Sequence, residues 1–100
     1  MESYNKLVRD KIPEILDGKG IAYEKRIASP EEYREELVKK LIEEVGEFAE
    51  AGDPEELADV LEVIEALRKL PEYREVEGLR LKKRDERGGF DGKMILKGER

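Results

Sequence analysis

The stretch that decides the fold is Lys40-Leu41-Ile42-Glu43-Glu44-Val45-Gly46-Glu47-Phe48-Ala49-Glu50-Ala51-Gly52-Asp53-Pro54-Glu55-Glu56-Leu57-Ala58-Asp59-Val60. Apolar residues recur on either side of Gly52 at helical spacing. Gly52 is a helix stop, because glycine enters the left-handed region that closes a helix without a Cβ clash. Asp53-Pro54-Glu55-Glu56 is a start signal: an N-cap carboxylate, a proline at the first helical position and a glutamate at N3. A stop followed at once by a start leaves no room for a crossover, so the two helices fold back as an antiparallel hairpin.

Outward from the turn, Ser29-Pro30-Glu31-Glu32 is a second start signal of the same kind. The first helix of the hairpin therefore runs from 30 to about 51 and the second from 54 to about 70, with Pro71 after it. A third helix is expected over 72–86, ended by Gly88-Gly89, and packed on the hairpin. Residues 7–17 read as a short N-terminal helix, with Asp10 as N-cap, Pro13 in the first turn, and Gly18 and Gly20 at its end. Short strands are expected near 21–28, where Ile21, Tyr23 and Ile27 share one side, and near 93–97, around Met94-Ile95-Leu96. The expected fold is all-α in the main, in one domain spanning 1–100. So short a chain buries a modest core, which favours an oligomeric helical bundle, a homodimer or homotetramer.

At about 100° per residue, and with Glu44 set at zero, Leu37, Phe48, Leu41, Val45, Val38, Ala49 and Ile42 occupy an arc from about 20° to 160°. Lys40, Glu44 and Glu47 line one border of that arc. On the next helix Glu56 falls within the arc formed by Leu70, Val63, Leu67, Val60, Ile64, Leu57 and Leu61, and Asp59 lies at its border. A carboxylate on a core-facing stripe costs several kcal/mol unless a cation or good donors meet it. Antiparallel packing brings Glu44 and Glu47, near the end of one helix, toward Glu56 and Asp59, near the start of the next. A divalent ion relieves the repulsion of such a group. The plainer alternative is that Glu56, at N3, serves the helix N-terminus, while Glu43 and Glu47 pair with Lys39 and Lys40 along their own helix.

Composition narrows the chemistry. Of 100 residues, 46% are charged, and none is His, Cys, Thr, Trp or Gln. Serine-histidine and cysteine-histidine nucleophiles, His/Cys zinc sites and disulfides are all excluded. Carboxylates, Lys, Arg and Tyr remain, and the ion such a set holds is hard: Mg2+, or Mn2+ in its place. No apolar run reaches membrane-spanning length and no signal-peptide core is present, so a cytoplasmic protein away from membranes is expected. The net charge of −6 divides into +1 over residues 1–30, −11 over 31–77 and +4 over 78–100. The acidic total argues against nucleic-acid binding. In the third helix Lys83, Arg84 and Arg87 lead into Gly88-Gly89-Phe90, a basic run suited to phosphate oxygens.

Glu44-Val45-Gly46-Glu47 followed by Glu56-Leu57-Ala58-Asp59 on successive helices resembles the signature of the all-α nucleoside triphosphate pyrophosphohydrolases, the MazG-like and phosphoribosyl-ATP pyrophosphohydrolase-like proteins. Tyr4-Asn5-Lys6-Leu7-Val8-Arg9-Asp10-Lys11-Ile12-Pro13 and Lys83-Arg84-Asp85-Glu86-Arg87-Gly88-Gly89-Phe90 resemble a short single-domain branch of that family, described as house-cleaning pyrophosphatases of noncanonical nucleotides. The likeness extends from residue 4 to about 96. It implies Mg2+-dependent cleavage of a nucleoside triphosphate to a monophosphate and pyrophosphate, with Glu44, Glu47, Glu56 and Asp59 as metal ligands. Only eight residues separate Glu47 from Glu56, fewer than in many members, so the turn is minimal. With no histidine, either Glu43 or Glu47 accepts the proton of water. Lys40, Lys83, Arg84 and Arg87 are candidates for phosphate oxygens, and Lys6 and Arg9 are further ones. The rival readings are a non-enzymatic helical assembly protein and a module that senses nucleotides without turnover.

Overall fold

The computed structural model describes residues 5–99; Tyr4, the first residue of the N-terminal motif, lies outside them. Four helices follow in order: α1 (Ile12–Gly18), α2 (Pro30–Ala51), α3 (Pro54–Arg68) and α4 (Val76–Arg87), with a 3-10 turn at Pro71–Tyr73. There is no strand among the described residues. No helix is long and apolar enough to cross a membrane. The chain divides into two compact units, one running to Leu67 and the other beginning at Arg68.

In the first unit, α2 and α3 pack together, and their junction is built as the turn residues dictate. Gly52 sits at φ 66°, ψ 17°, and its N–H donates to the Phe48 carbonyl. The Asp53 carboxylate then accepts from the Glu56 N–H at 2.9 Å, capping α3. At the start of α2, the Ser29 hydroxyl accepts from the Glu32 N–H. The Glu32 carboxylate meets the Arg26 guanidinium with two hydrogen bonds, so it is drawn to a charged fork and only the serine half of the capping box is made. The buried apolar side chains are Leu37, Val60 and Val63, all on α2 and α3.

Several boundaries differ from expectation. α1 begins at Ile12, not residue 7, and its N-cap is Lys11, not Asp10. A helix starting at 7 would place Pro13 in its second turn, where the ring collides with the carbonyl four residues back, that of Arg9. Arg9 instead accepts from the Ile12 N–H through that carbonyl. Residues 21–28 and 93–97 form no β-ladder. The first segment is held by side chains: Tyr23 donates to Asp17 of α1 and Arg26 grips Glu32 of α2. Ile27 is 93% exposed, so no apolar contact supports a strand. Met94, Ile95 and Leu96 are likewise almost fully exposed.

The second unit contains the 3-10 turn and α4. The stretch expected as one helix over 72–86 is split, because the tight turn closed by Tyr73 N–H on the Leu70 carbonyl ends before Glu75 caps Val76–Arg87. Glu77, in the first turn of α4, accepts from both Arg68 and Arg80, so these contacts lie within the second unit.

Two glycines in the hairpin separate backbone strain from helix propensity, since a Cβ at either meets nothing within 4 Å. Gly52→Ala forces an alanine into the left-handed region and should lower stability by about 1–2 kcal/mol. Gly46→Ala, in the interior of α2, should raise it by about 0.5–1 kcal/mol. Urea unfolding monitored by circular dichroism measures both.

Candidate metal centre

The turn between α2 and α3 is so short that the last turns of one helix lie beside the first turns of the other. Glu44, Glu56 and Asp59 each bring one carboxylate oxygen to within 4.8 Å of the others. Glu44 is 7% exposed and is the only buried charged residue among those described. Glu56 and Asp59 are half-buried. Glu44 Oε2 and Glu56 Oε2 are both sealed from solvent and accept no hydrogen bond. Buried polar atoms are nearly always satisfied, so two orphaned carboxylate oxygens in one cluster are an uncompensated cost of folding. Glu56 Oε2 thus engages no N-terminal amide.

The electrostatics agree with the geometry. Burial pushes the Glu44 carboxyl above the usual carboxylate range, and the charges of Glu47, Asp59 and Glu43 add to the effect while Lys40 opposes it. Burial also raises Glu56, reinforced by Glu47, Asp53, Asp59 and Glu44. The cations around the cluster touch its rim. Lys40 Nζ lies 3.6 Å from Glu44 Oε1 and 3.6 Å from Glu43 Oε2. Lys6 Nζ lies 3.5 Å from Glu43 Oε1. Arg9 Nη2 donates to Asp59 Oδ1 at 2.7 Å.

Three of the four carboxylates anticipated as ligands thus come together. Glu47 is not within the close group; it is exposed and acts on Glu44 and Glu56 through its charge. Glu43 faces the two lysines. Lys83, Arg84 and Arg87 all lie on α4 in the second unit, and all are exposed. The contacts of Lys6 with Glu43 and of Arg9 with Asp59 were not foreseen as ion pairs. The available signal was two cations just upstream of Pro13, in a segment that the proline keeps out of the helix.

The donor set fits a hard divalent ion. All three groups are carboxylates, the type that Mg2+ and Mn2+ favour. Two oxygens on one octahedral Mg2+ are about 3.0 Å apart when cis and about 4.2 Å when trans, so side-chain torsions must draw the three oxygens closer than their present limit of 4.8 Å. No family model, curated protein or solved structure matches this chain.

The raised Glu44 and Glu56 carboxyls set a sign for stability against pH. Above the unfolded value of about 4.3, the folded state holds more protons than the unfolded one, so stability falls as pH rises through the raised folded values. Without divalent ions the melting temperature should therefore rise as the pH is lowered from neutral toward about 5. Saturating Mg2+ should raise it at neutral pH and flatten that dependence. Below about 4 the trend should reverse, as the arginine-paired Glu32 and Glu77, whose carboxyls are held below the usual range, become protonated. Scanning calorimetry across pH, with and without Mg2+, checks all three.

Proposed function

We propose that this chain is a Mg2+-dependent nucleotide pyrophosphohydrolase. Water adds across the α–β phosphoanhydride of a nucleoside triphosphate, that bond breaks, and a nucleoside monophosphate and pyrophosphate leave. The observation that carries the proposal is the pair of sealed, unpartnered oxygens on Glu44 and Glu56 beside Asp59. The resemblance of Glu44-Val45-Gly46-Glu47 and Glu56-Leu57-Ala58-Asp59 to the all-α pyrophosphohydrolase signature supplies the reaction class.

In this reading Glu44, Glu56 and Asp59 hold the ion, with Glu47 available at the edge. An ion held by these carboxylates would supply charge neutralisation for phosphate oxygens and a lowered pKa for the attacking water. Glu47 is favoured over Glu43 as proton acceptor. Among the described residues Glu47 carries no ion pair, whereas the Glu43 carboxylate is engaged by both Lys6 and Lys40, so Glu47 is the one open to a water molecule. Lys40 faces the rim from α2 and is suited to phosphate oxygens. Lys83, Arg84 and Arg87 on α4 are assigned to phosphate oxygens on the strength of their charge and sequence resemblance alone.

The proposal includes a homodimer or homotetramer. Val38, Ile42 and Val45 on α2 and Leu57 and Leu61 on α3 are all exposed, Ile42 at 68% and Leu61 at 54%. These residues lie about 100–160° around each helix from Glu44 or Glu56. Antiparallel helices wind in opposite senses when viewed from one end, so both stripes fall on one side of the hairpin and the carboxylates on the other. A second copy meeting the apolar side completes a four-helix arrangement and leaves the acidic side open.

A pyrophosphate-release screen over nucleoside triphosphates with Mg2+ tests the activity. Glu56→Gln should lose nearly all turnover, and its ion-free melting temperature should equal or exceed that of the parent because a like charge is removed. Full turnover in Glu56→Gln would sink the site. A chain that assembles but neither binds Mg2+ nor hydrolyses any nucleotide is the assembly protein instead. Separately, Ile42→Glu should dissociate the oligomer, as read by light scattering.

A further inference from the structure

The N-terminal segment brings two cations to the edge of the acidic cluster. Residues 5–9 form no helix, and within them Lys6 and Arg9 reach two different carboxylates of the rim. Arg9 is the more telling. Its guanidinium donates to Asp59 Oδ1 at 2.7 Å, across 50 positions of sequence, and Asp59 is one of the three clustered carboxylates. A second, independent feature marks the place as a ligand site: Glu44, more than nine-tenths buried, keeps Oε2 without a partner. Arg9 therefore neutralises only the outer edge of the group and leaves its buried oxygens unserved.

We propose that Arg9 is a tethered counter-cation that exchanges partners: it holds Asp59 while the centre is free of metal, is displaced when a divalent ion takes that carboxylate, and then presents its guanidinium to the oxyanion of the ligand. The proposal rests on the metal reading above. The exchange follows from charge and geometry. A carboxylate oxygen bound to an ion has less negative charge to offer a guanidinium, and the ion's positive charge repels it. The Arg9 side chain is more than half exposed and belongs to a segment outside the helices, so its guanidinium can turn away from Asp59 without disturbing the hairpin. Its planar fork of donors suits phosphate oxygens as well as it suits a carboxylate. Metal thus binds against a competitor in the absence of anion, and the released competitor strengthens anion binding once metal is present.

Calorimetric titration of the full chain tests this with two probes: Mg2+ alone, and inorganic phosphate at saturating Mg2+. Arg9→Ala should bind Mg2+ about two- to fivefold more tightly, the range set by an exposed ion pair, and should bind phosphate more weakly. Arg9→Gln, which keeps the side-chain length, should shift both in the same directions, and circular dichroism confirms that each variant is folded. Lys11→Ala removes the same charge two residues along the chain and should leave the phosphate affinity unchanged. If Arg9→Ala weakens or does not alter Mg2+ binding, or if phosphate affinity does not fall, the exchange is wrong; Mg2+ binding that Glu56→Gln abolishes would then leave the metal centre standing. If neither the parent nor Arg9→Ala binds Mg2+ in a Glu56-dependent way, the metal centre fails and the exchange with it.

Discussion

A two-residue turn governs the first unit. Gly52 in the left-handed region ends α2, and Asp53 caps α3 by accepting from the Glu56 N–H. A longer connection would let the helices slide or splay; this one sets their register to within a fraction of a turn. With the register set, the position of every carboxylate near the turn is set too. Glu44 lies two turns before the bend and Glu56 and Asp59 lie within two turns after it, and these three converge. Asp53 also adds its own charge to the set that raises Glu56. The bend that makes the hairpin thus also makes the charge problem.

The problem is solved only in part by the protein. Lys40, Lys6 and Arg9 approach the carboxylates from outside, and each reaches the rim: Glu43, the Oε1 side of Glu44, or Asp59. The interior oxygens of Glu44 and Glu56 have no protein donor. A structural salt-bridge network would be expected to place its donors where desolvation is greatest, since a buried charge without a partner is the costliest kind. Here the donors are peripheral and the deficit is central. This distribution suits a site completed by something that is not part of the chain.

The hairpin is correspondingly lopsided. Three apolar residues are buried, while Val38, Ile42, Val45, Leu57 and Leu61 remain exposed on the flank opposite the carboxylates. Within the hairpin these five aliphatic side chains fall on one side and form an apolar stripe. The charged side and the apolar side belong to the same two helices and face apart.

Local chemistry was enough to predict α2, the turn and α3, because a proline at N1, a capping carboxylate and a glycine stop act within a few residues of themselves. It was also enough to single out Glu56, whose place on an apolar stripe follows from helical periodicity alone. The start of α1 was within reach of the same rules, since Pro13 forbids a helix that includes Arg9 in its preceding turn. Other features were decided by packing between distant positions. Which carboxylates are close and which are merely near could not be read from periodicity: Glu44 and Glu47 share a border of one helix, yet only Glu44 joins Glu56 and Asp59. The segments 21–28 and 93–97 have strand-like composition, but a strand exists only when another supplies its hydrogen bonds, and neither has that partner among the described residues. The ion pair of Arg9 with Asp59 spans 50 positions of sequence, and no local rule relates two residues so far apart; only the folded hairpin puts that guanidinium at the edge of the acidic cluster.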